Sequence, residues 1–391
     1  MATATSITQK SSSSLSLFDR AKPYIVLATN NIAIPIVGIL VFLMLWSLAA
    51  ANIETALGKL PGPTLVKEQF VSLYEEHKTE REKEVAFFER QEERNAKRLE
   101  ADPTYEPKKR PYPGKETYID QIFTSLKTVM AGFFLAAFIA IPLGIAIGLS
   151  KAMNTAMNPI IQVFKPVSPL AWLPMVTILV AALYENIHPM VPKAFLTSLI
   201  TVTLCCLWPM LINTAVGVAS IDSDLDNVSK VLRLPAIRHI RKIVLPASVP
   251  MIFTGMRLSL GIAWMVLIAA EMLSQNPGLG KFVWDEYQNN SSDSLARIIA
   301  AILTIGVIGF VLDRVMTELQ SLASWDKEAS KVTRWIGIRL IGAVCLFLLV
   351  PVFFEFFAFY SVFSAYLMSA ISIIGGAVLL VLDFNNRRKP V

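Results

Sequence analysis

The feature that most limits what this chain can become is a series of long apolar runs, separated by short blocks that hold most of the charge. A helix needs about 20 residues to cross the hydrocarbon core of a bilayer. Eight stretches meet or approach that length, at residues 24–51, 122–150, 167–184, 190–217, 246–274, 295–319, 335–354 and 357–382. In lipid the backbone must satisfy its own hydrogen bonds, which leaves helices as the solution for runs of this kind. An all-α integral membrane protein is the expected class. Composition agrees: 54% of the 391 residues are hydrophobic and 17% are charged, against about 25% charged in soluble domains.

The net charge of +6 does not point to nucleic acid, because the basic residues gather at the ends of the apolar runs. That placement is what the positive-inside rule produces. Cys205, Cys206 and Cys345 all lie within apolar runs, so neither a disulfide framework nor a metal site is indicated. His188 and His239 have no companions at ligand spacing, and no metal is expected. Residues 1–22 read as a cytoplasmic tail leading into a retained first span (23–58), since that apolar run is too long for a signal-peptide core.

Lysine and arginine near the span ends give an orientation. With Lys10, Arg20 and Lys22 inside, Lys151, Lys165, residues 227–242, Lys327, Arg334 and the C-terminal "NNRRKPV" also fall inside. Both termini are then cytoplasmic in a multi-pass membrane protein. The segment 59–117 falls outside. In it acidic and basic residues alternate at helical spacing from about Lys67 to Glu100, and Pro103, Pro107, Pro111 and Pro113 then end the helix. It reads as a solvated helix with a proline-rich tether, docking to an external partner being the lesser alternative.

The stretch "NVSKVLRLPAIRHIRKIVLPASVP", residues 227–250, is basic and amphipathic between two spans. A short helix is expected over residues 224–238, capped by Asp222, Ser223 or Asp224. Val228, Val231 and Leu232 give it an apolar face able to enter a groove on another protein. Pro246 suits the first turn of a following helix, where its missing N–H costs nothing.

This pattern resembles the cytoplasmic loop of ABC importer permeases, which reads E-A-A, three residues, Gly, nine residues, Ile, one residue, Leu-Pro. Here Asn227, Val228 and Ser229 stand in place of E-A-A and Arg233 in place of Gly, while Ile243, Leu245 and Pro246 keep the family's spacing. "PVSPLAWLP" and "AAEML…GLGKFVWDEY" are most similar to nitrate and bicarbonate members of the nitrate/sulfonate/bicarbonate branch. The resemblance covers residues 20–58 and 118–324, and implies a type I importer core of about six spans, with two further spans in 325–391. It implies two permease copies, two cytoplasmic ATPase subunits gripping Asn227, Val228, Val231, Leu232, Arg233 and the turn to Ile243, Leu245 and Pro246, and an external solute-binding protein. It also implies a place in a bacterial inner membrane and no cofactor on this chain. No G-x-x-x-x-G-K-[ST] motif occurs, so the chain is expected not to be an enzyme.

Arg257 and Glu271 lie inside an apolar run, where ionisable groups are costly and usually face protein or a cavity. Fourteen residues separate them, about 21 Å along a helix and ~40° around it. With Trp264 between, they are the candidates for a translocation path, against pairing with neighbouring helices or plain packing. The resemblance implies nitrate or nitrite as the substrate. Bicarbonate, cyanate, taurine or aliphatic sulfonates are the alternatives within the class. A secondary transporter using Arg257 and Glu271 would work without ATPase partners. A membrane scaffold would leave the Ile243–Pro246 spacing without purpose.

Overall fold

The computed structural model describes residues 34–55, 58–102, 105, 107, 110–184, 191–289, 291 and 293–323. The expected N-terminal tail, His188, Cys345 and the two further spans of 325–391 lie outside the described residues. The chain divides into two units, one up to Glu68 and one from Gln69 onward. The first holds helix α1 (Ile34–Asn52) and a two-residue antiparallel ladder in which Glu54 pairs with Lys59. None of the α1 side chains is buried, and Trp46 donates its indole N–H to the Pro61 carbonyl at 3.1 Å. A helix that is apolar on every side suits lipid rather than water. Helix α2 (Pro63–Ala101) starts in the first unit, and its residues from Gln69 on belong to the second.

The second unit is built around three long helices, α3 (Tyr118–Leu149), α6 (Lys193–Ala219) and α9 (Leu245–Ser274). Glycines let α3 and α6 approach closely, as small residues do between membrane helices. A Cβ on Gly132, Gly144 or Gly148 would come within 2.6–2.7 Å of Val202, Thr214 or Val218 respectively. The partner advances in step with the glycine, so α3 and α6 run parallel. Gly217 meets Met251 while Gly255 meets Asn213, so α6 and α9 run antiparallel. Ser259 on α9 donates to the Cys206 carbonyl at 2.6 Å, within that seam.

Because α3 and α6 are parallel, the chain between them must return across the bilayer. Two helices make the return, α4 (Lys151–Phe164) and α5 (Pro169–Tyr184), bent by 99° at their junction. The expected third span at 167–184 is therefore only α5, and α4 ahead of it was not foreseen. Pro166 supplies no donor to continue α4, and Pro169 fits the first turn of α5. Only Ile161 of α4 is buried, while Phe164 stacks against Trp172 at 5.7 Å and Trp208 at 5.9 Å. With α4 and α5 taken as one broken span, the described residues contain six candidate crossings.

Beyond α6 come α7 (Ser223–Val231) and α8 (Ala236–His239), followed by a π-turn at Ile240–Val244 that runs into α9. After α9 the short α10 (Leu279–Asn289) leads into α11 (Ser294–Ala323), antiparallel to α9. The stretch between the apolar runs 246–274 and 295–319 thus holds helix α10.

The charged insert is more than a solvated rod. His77 lies 2.6 Å from Thr117, the Arg81 guanidinium donates to Asp120 at 3.0 Å, and Arg297 of α11 pairs with Glu76. Arg110 and Tyr112 lie back along α2: Gln91 bonds the Arg110 backbone through both its amide oxygen and nitrogen, and Tyr112 donates to Glu80 at 2.8 Å. That bond and the Lys83 ammonium hold the Glu80 carboxyl below the usual carboxylate range. Thr117 and Asp120 then form a reciprocal capping box that starts α3.

Candidate functional site

Two features stand apart: the α7–α8 loop at one end of the core, and a polar site midway along α9. Asp222 caps α7, accepting from the Asp224 amide at 3.1 Å. The helix ends at Val231, not near residue 237 as expected. Its end is a Schellman motif: the Leu234 amide donates to the Ser229 carbonyl and the Arg233 amide to the Lys230 carbonyl, both at 3.1 Å. Closure of that motif puts Arg233 in the left-handed region, with φ +46°. Pro235 then blocks any resumption of the same helix. In an L-residue this conformation costs roughly 1–2 kcal/mol, and glycine adopts it freely. The glycine of the related loop motif thus has a physical reason, and this chain bears the strain with arginine.

The loop is fastened from below. Ser229 is buried, and its hydroxyl lies 2.7 Å from His239 Nδ1 on α8. Val228, Val231, Leu232 and Ile237 face outward, Val231 and Ile237 with more than four-fifths of their surface open. Asn227 and Arg233 are also exposed, whereas Ile243 is half-buried at the root of the loop. Pro246 lies in the first turn of α9 as expected, but no break in the helical backbone precedes it. The Leu245 amide donates to the Ile240 carbonyl five residues back, the bond of a π-turn. This wider turn carries the helix through the region where Pro246 lacks a donor. Loop and span are consequently joined through continuous helical backbone from Ala236 to Ser274.

On α9, Arg257 does not stand alone. Its Nε donates to Asp313 Oδ1 at 2.6 Å and its Nη2 to Oδ2 at 2.8 Å, a side-on fork to α11. The pair borders a cavity of about 500 Å³ with Thr254, Leu258, Gly261 and Gln320. Asp313 sits beside Arg314 near the end of an apolar run, and nothing local to it names Arg257 as its partner. The pairing depends on the register of two antiparallel helices, which no local signal reveals.

Trp264 and Glu271 do not share that cavity. Trp264 is 5% exposed, donates to the Ile305 carbonyl at 3.0 Å and packs over Gly309. Glu271 is fully buried: the Ser125 hydroxyl lies 2.9 and 2.8 Å from its oxygens, and the Gly280 amide donates at 3.0 Å. Of the three residues grouped on one helix face, Arg257 is the one that lines this cavity. Ser125, which sequence reading passed over, is the partner that fixes Glu271.

A family model for the binding-protein-dependent transport system inner membrane component matches residues 140–322, which include the loop, α9 and Asp313. The chain is 44% identical over 202 residues to the nitrate import permease protein NrtB of Synechocystis sp., covering 52% of this chain and 68% of that protein. The chain belongs to this permease family. Its fold is the type I ABC permease core, all-α with five or six apolar spans, and as a family member it is a membrane permease component of ABC transporters. It is also 35% identical over 293 residues to the bicarbonate transport system permease protein CmpB of Synechococcus elongatus, covering 74% of this chain and 89% of that permease. A putative ABC transporter permease protein of Methanocaldococcus jannaschii is 36% identical over 202 residues, or 51% of this chain and 70% of its own.

Proposed function

We propose that this chain is the permease subunit of an ATP-driven importer for a small inorganic anion, with nitrate or nitrite as substrate. The observation that carries the proposal is the exposed apolar face of α7 and α8, set on a loop whose helix runs unbroken into α9. A cytoplasmic ATPase dimer gripping Val228, Val231 and Leu232 would move α9 as a lever. The similarity to a nitrate permease supports the substrate. The similarity to a bicarbonate permease makes bicarbonate the second reading. The working assembly would be two copies of this chain, two ATPase subunits and an external solute-binding protein, with the loop and both termini on the cytoplasmic side. The distribution of lysine and arginine supports that orientation.

Arg257 is the path residue in this reading, because it meets the open cavity on α9. Trp264 backs the path by packing α9 onto α11, and Glu271 holds the turn into α10. The test is co-purification with candidate ATPases and uptake of labelled nitrate and bicarbonate by the reconstituted complex. Val231→Asp and Leu232→Asp should each lose the ATPase while the permease still inserts in the membrane. Retention of the ATPase by both variants would remove the coupling assignment.

A further inference from the structure

The anion reading raises a difficulty that the Arg257 fork makes concrete: the group expected to attract an anion already holds one. Both oxygens of Asp313 sit on Nε and Nη2. This happens on the twelfth residue beyond Leu245, about 18 Å along α9 and so well inside the apolar span. A lone guanidinium at that depth is costly, so a counter-charge is needed whenever the path is empty. Yet the pair is not sealed. The exposed fraction is 40% for the Arg257 side chain and 42% for Asp313, and a Cβ on Gly261 one turn away would meet nothing within 4 Å. Among the described residues Asp313 is the one acidic partner of Arg257.

We propose that Asp313 is a resident stand-in for the transported anion, occupying the Arg257 fork when the path is empty and yielding it to a small planar oxyanion. This rests on the anion-permease reading. A carboxylate, nitrate and bicarbonate all present two oxygens in one plane to a guanidinium, and the planar fork binds that geometry in a bidentate manner. The exchange therefore requires no new arrangement of Arg257. Asp313 competes with the substrate for the fork, which weakens binding. It also displaces the bound anion when the cycle calls for release. Gln320, whose side-chain amide donates to Thr254 at 3.2 Å, closes the other wall of the same cavity.

The experiment is concentration-dependent uptake of nitrate, and separately of bicarbonate, by the assembled complex in proteoliposomes. Asp313→Asn keeps the shape and one acceptor but removes the competing charge. Its KM should fall on the order of tenfold, the effect of losing one charge-assisted competitor, while kcat falls because release slows. Asp313→Glu should return KM toward the wild-type value. Arg257→Lys keeps the charge and loses the planar fork, so its KM should rise by a similar factor. A KM unchanged in both Asp313→Asn and Arg257→Lys, in complexes that still transport, would overturn the proposal. Failure of both variants to assemble would also overturn it, since the pair would then be a structural tie. A wild-type chain that binds no ATPase or moves neither anion would instead sink the function itself, and the two failures are read separately.

Discussion

Ser125 on α3 and Glu271 on α9 form a buried polar centre where α3, α9 and α10 meet. The Ser125 hydroxyl reaches both carboxylate oxygens, and its own oxygen accepts the Leu279 amide at 2.9 Å. Gly280 donates to the same carboxylate, so one buried acid fixes the chain's turn from α9 into α10 and the N-terminus of α10. The turn passes so close that a Cβ on Gly278 would fall 2.3 Å from the carboxylate. Ser125→Ala should lower stability by about 1–3 kcal/mol, the usual cost of leaving a buried polar group without its partner. Gly278→Ala should destabilise more, because the fully buried carboxylate has no space to retreat. Thermal unfolding in detergent measures both, and a neutral Gly278→Ala would show that the turn is looser than described.

Arg233 invites a stabilising change. Arg233→Gly removes the left-handed strain of roughly 1–2 kcal/mol. It also brings glycine's own entropic cost of roughly 0.5–1 kcal/mol. A net gain of up to about 1 kcal/mol is expected, whereas Arg233→Val should lose stability because a branched side chain fits φ > 0 worst. The unfolding midpoints of the two variants should straddle the wild type.

Trp264 separates packing from pore lining. Truncation to Ala removes a large buried side chain between α9 and α11 and should cost about 3–5 kcal/mol. Trp264→Phe keeps most of the volume and loses the bond to Ile305, at about 1 kcal/mol. A residue that merely narrowed a passage would alter transport in both variants with little change in the unfolding temperature.

The clasp between Tyr112 and Glu80 should open in acid. The folded-state pKa of Glu80 is lowered, chiefly by the Tyr112 hydroxyl and then by Lys83. Its contribution to holding the proline segment is therefore present above the ordinary carboxylate pKa and lost as pH falls through the lowered one. Limited proteolysis near residue 112 should quicken as pH is taken below about 4. In Tyr112→Phe the cleavage should already be fast at neutral pH and change little with acid.

The parallel seam of α3 and α6 gives the bluntest test. Gly148→Val would place its Cβ 2.6 Å from that of Val218 and 2.7 Å from the Ala215 carbonyl. Backbone cannot yield as a side chain can, so the two helices should separate and the chain should fail to accumulate in the membrane. Gly38→Val on α1, where a Cβ meets nothing within 4 Å, should be tolerated.

Much of this protein is legible in its amino-acid sequence. The lengths of the apolar runs dictated membrane helices, because lipid offers the backbone no other partner. Asp222 as a cap and the helical insert from about residue 67 to 100 were local signals, and local signals survive folding. The apolar face of α7 was legible in Val228, Val231 and Leu232, which are exposed in the fold, since a helix face depends only on spacing. The helix's early end at Val231 was not legible, because the apolar spacing runs on to Ile237 and only the folded turn shows Arg233 in the left-handed region ahead of Pro235.

Tertiary structure decided the rest. Whether Arg257 met solvent, substrate or Asp313 depended on how α11 slid against α9, and one turn of slippage would have broken the fork. Glu271 looked like a path residue along one helix and became a buried anchor once Ser125 arrived from α3 and Gly280 from α10. The return through α4 and α5 was required only because α3 and α6 turned out to be parallel. Sequence sets what each segment can do alone. The charges in the membrane took their roles from neighbours far along the chain, and only packing brings those neighbours within hydrogen-bond reach.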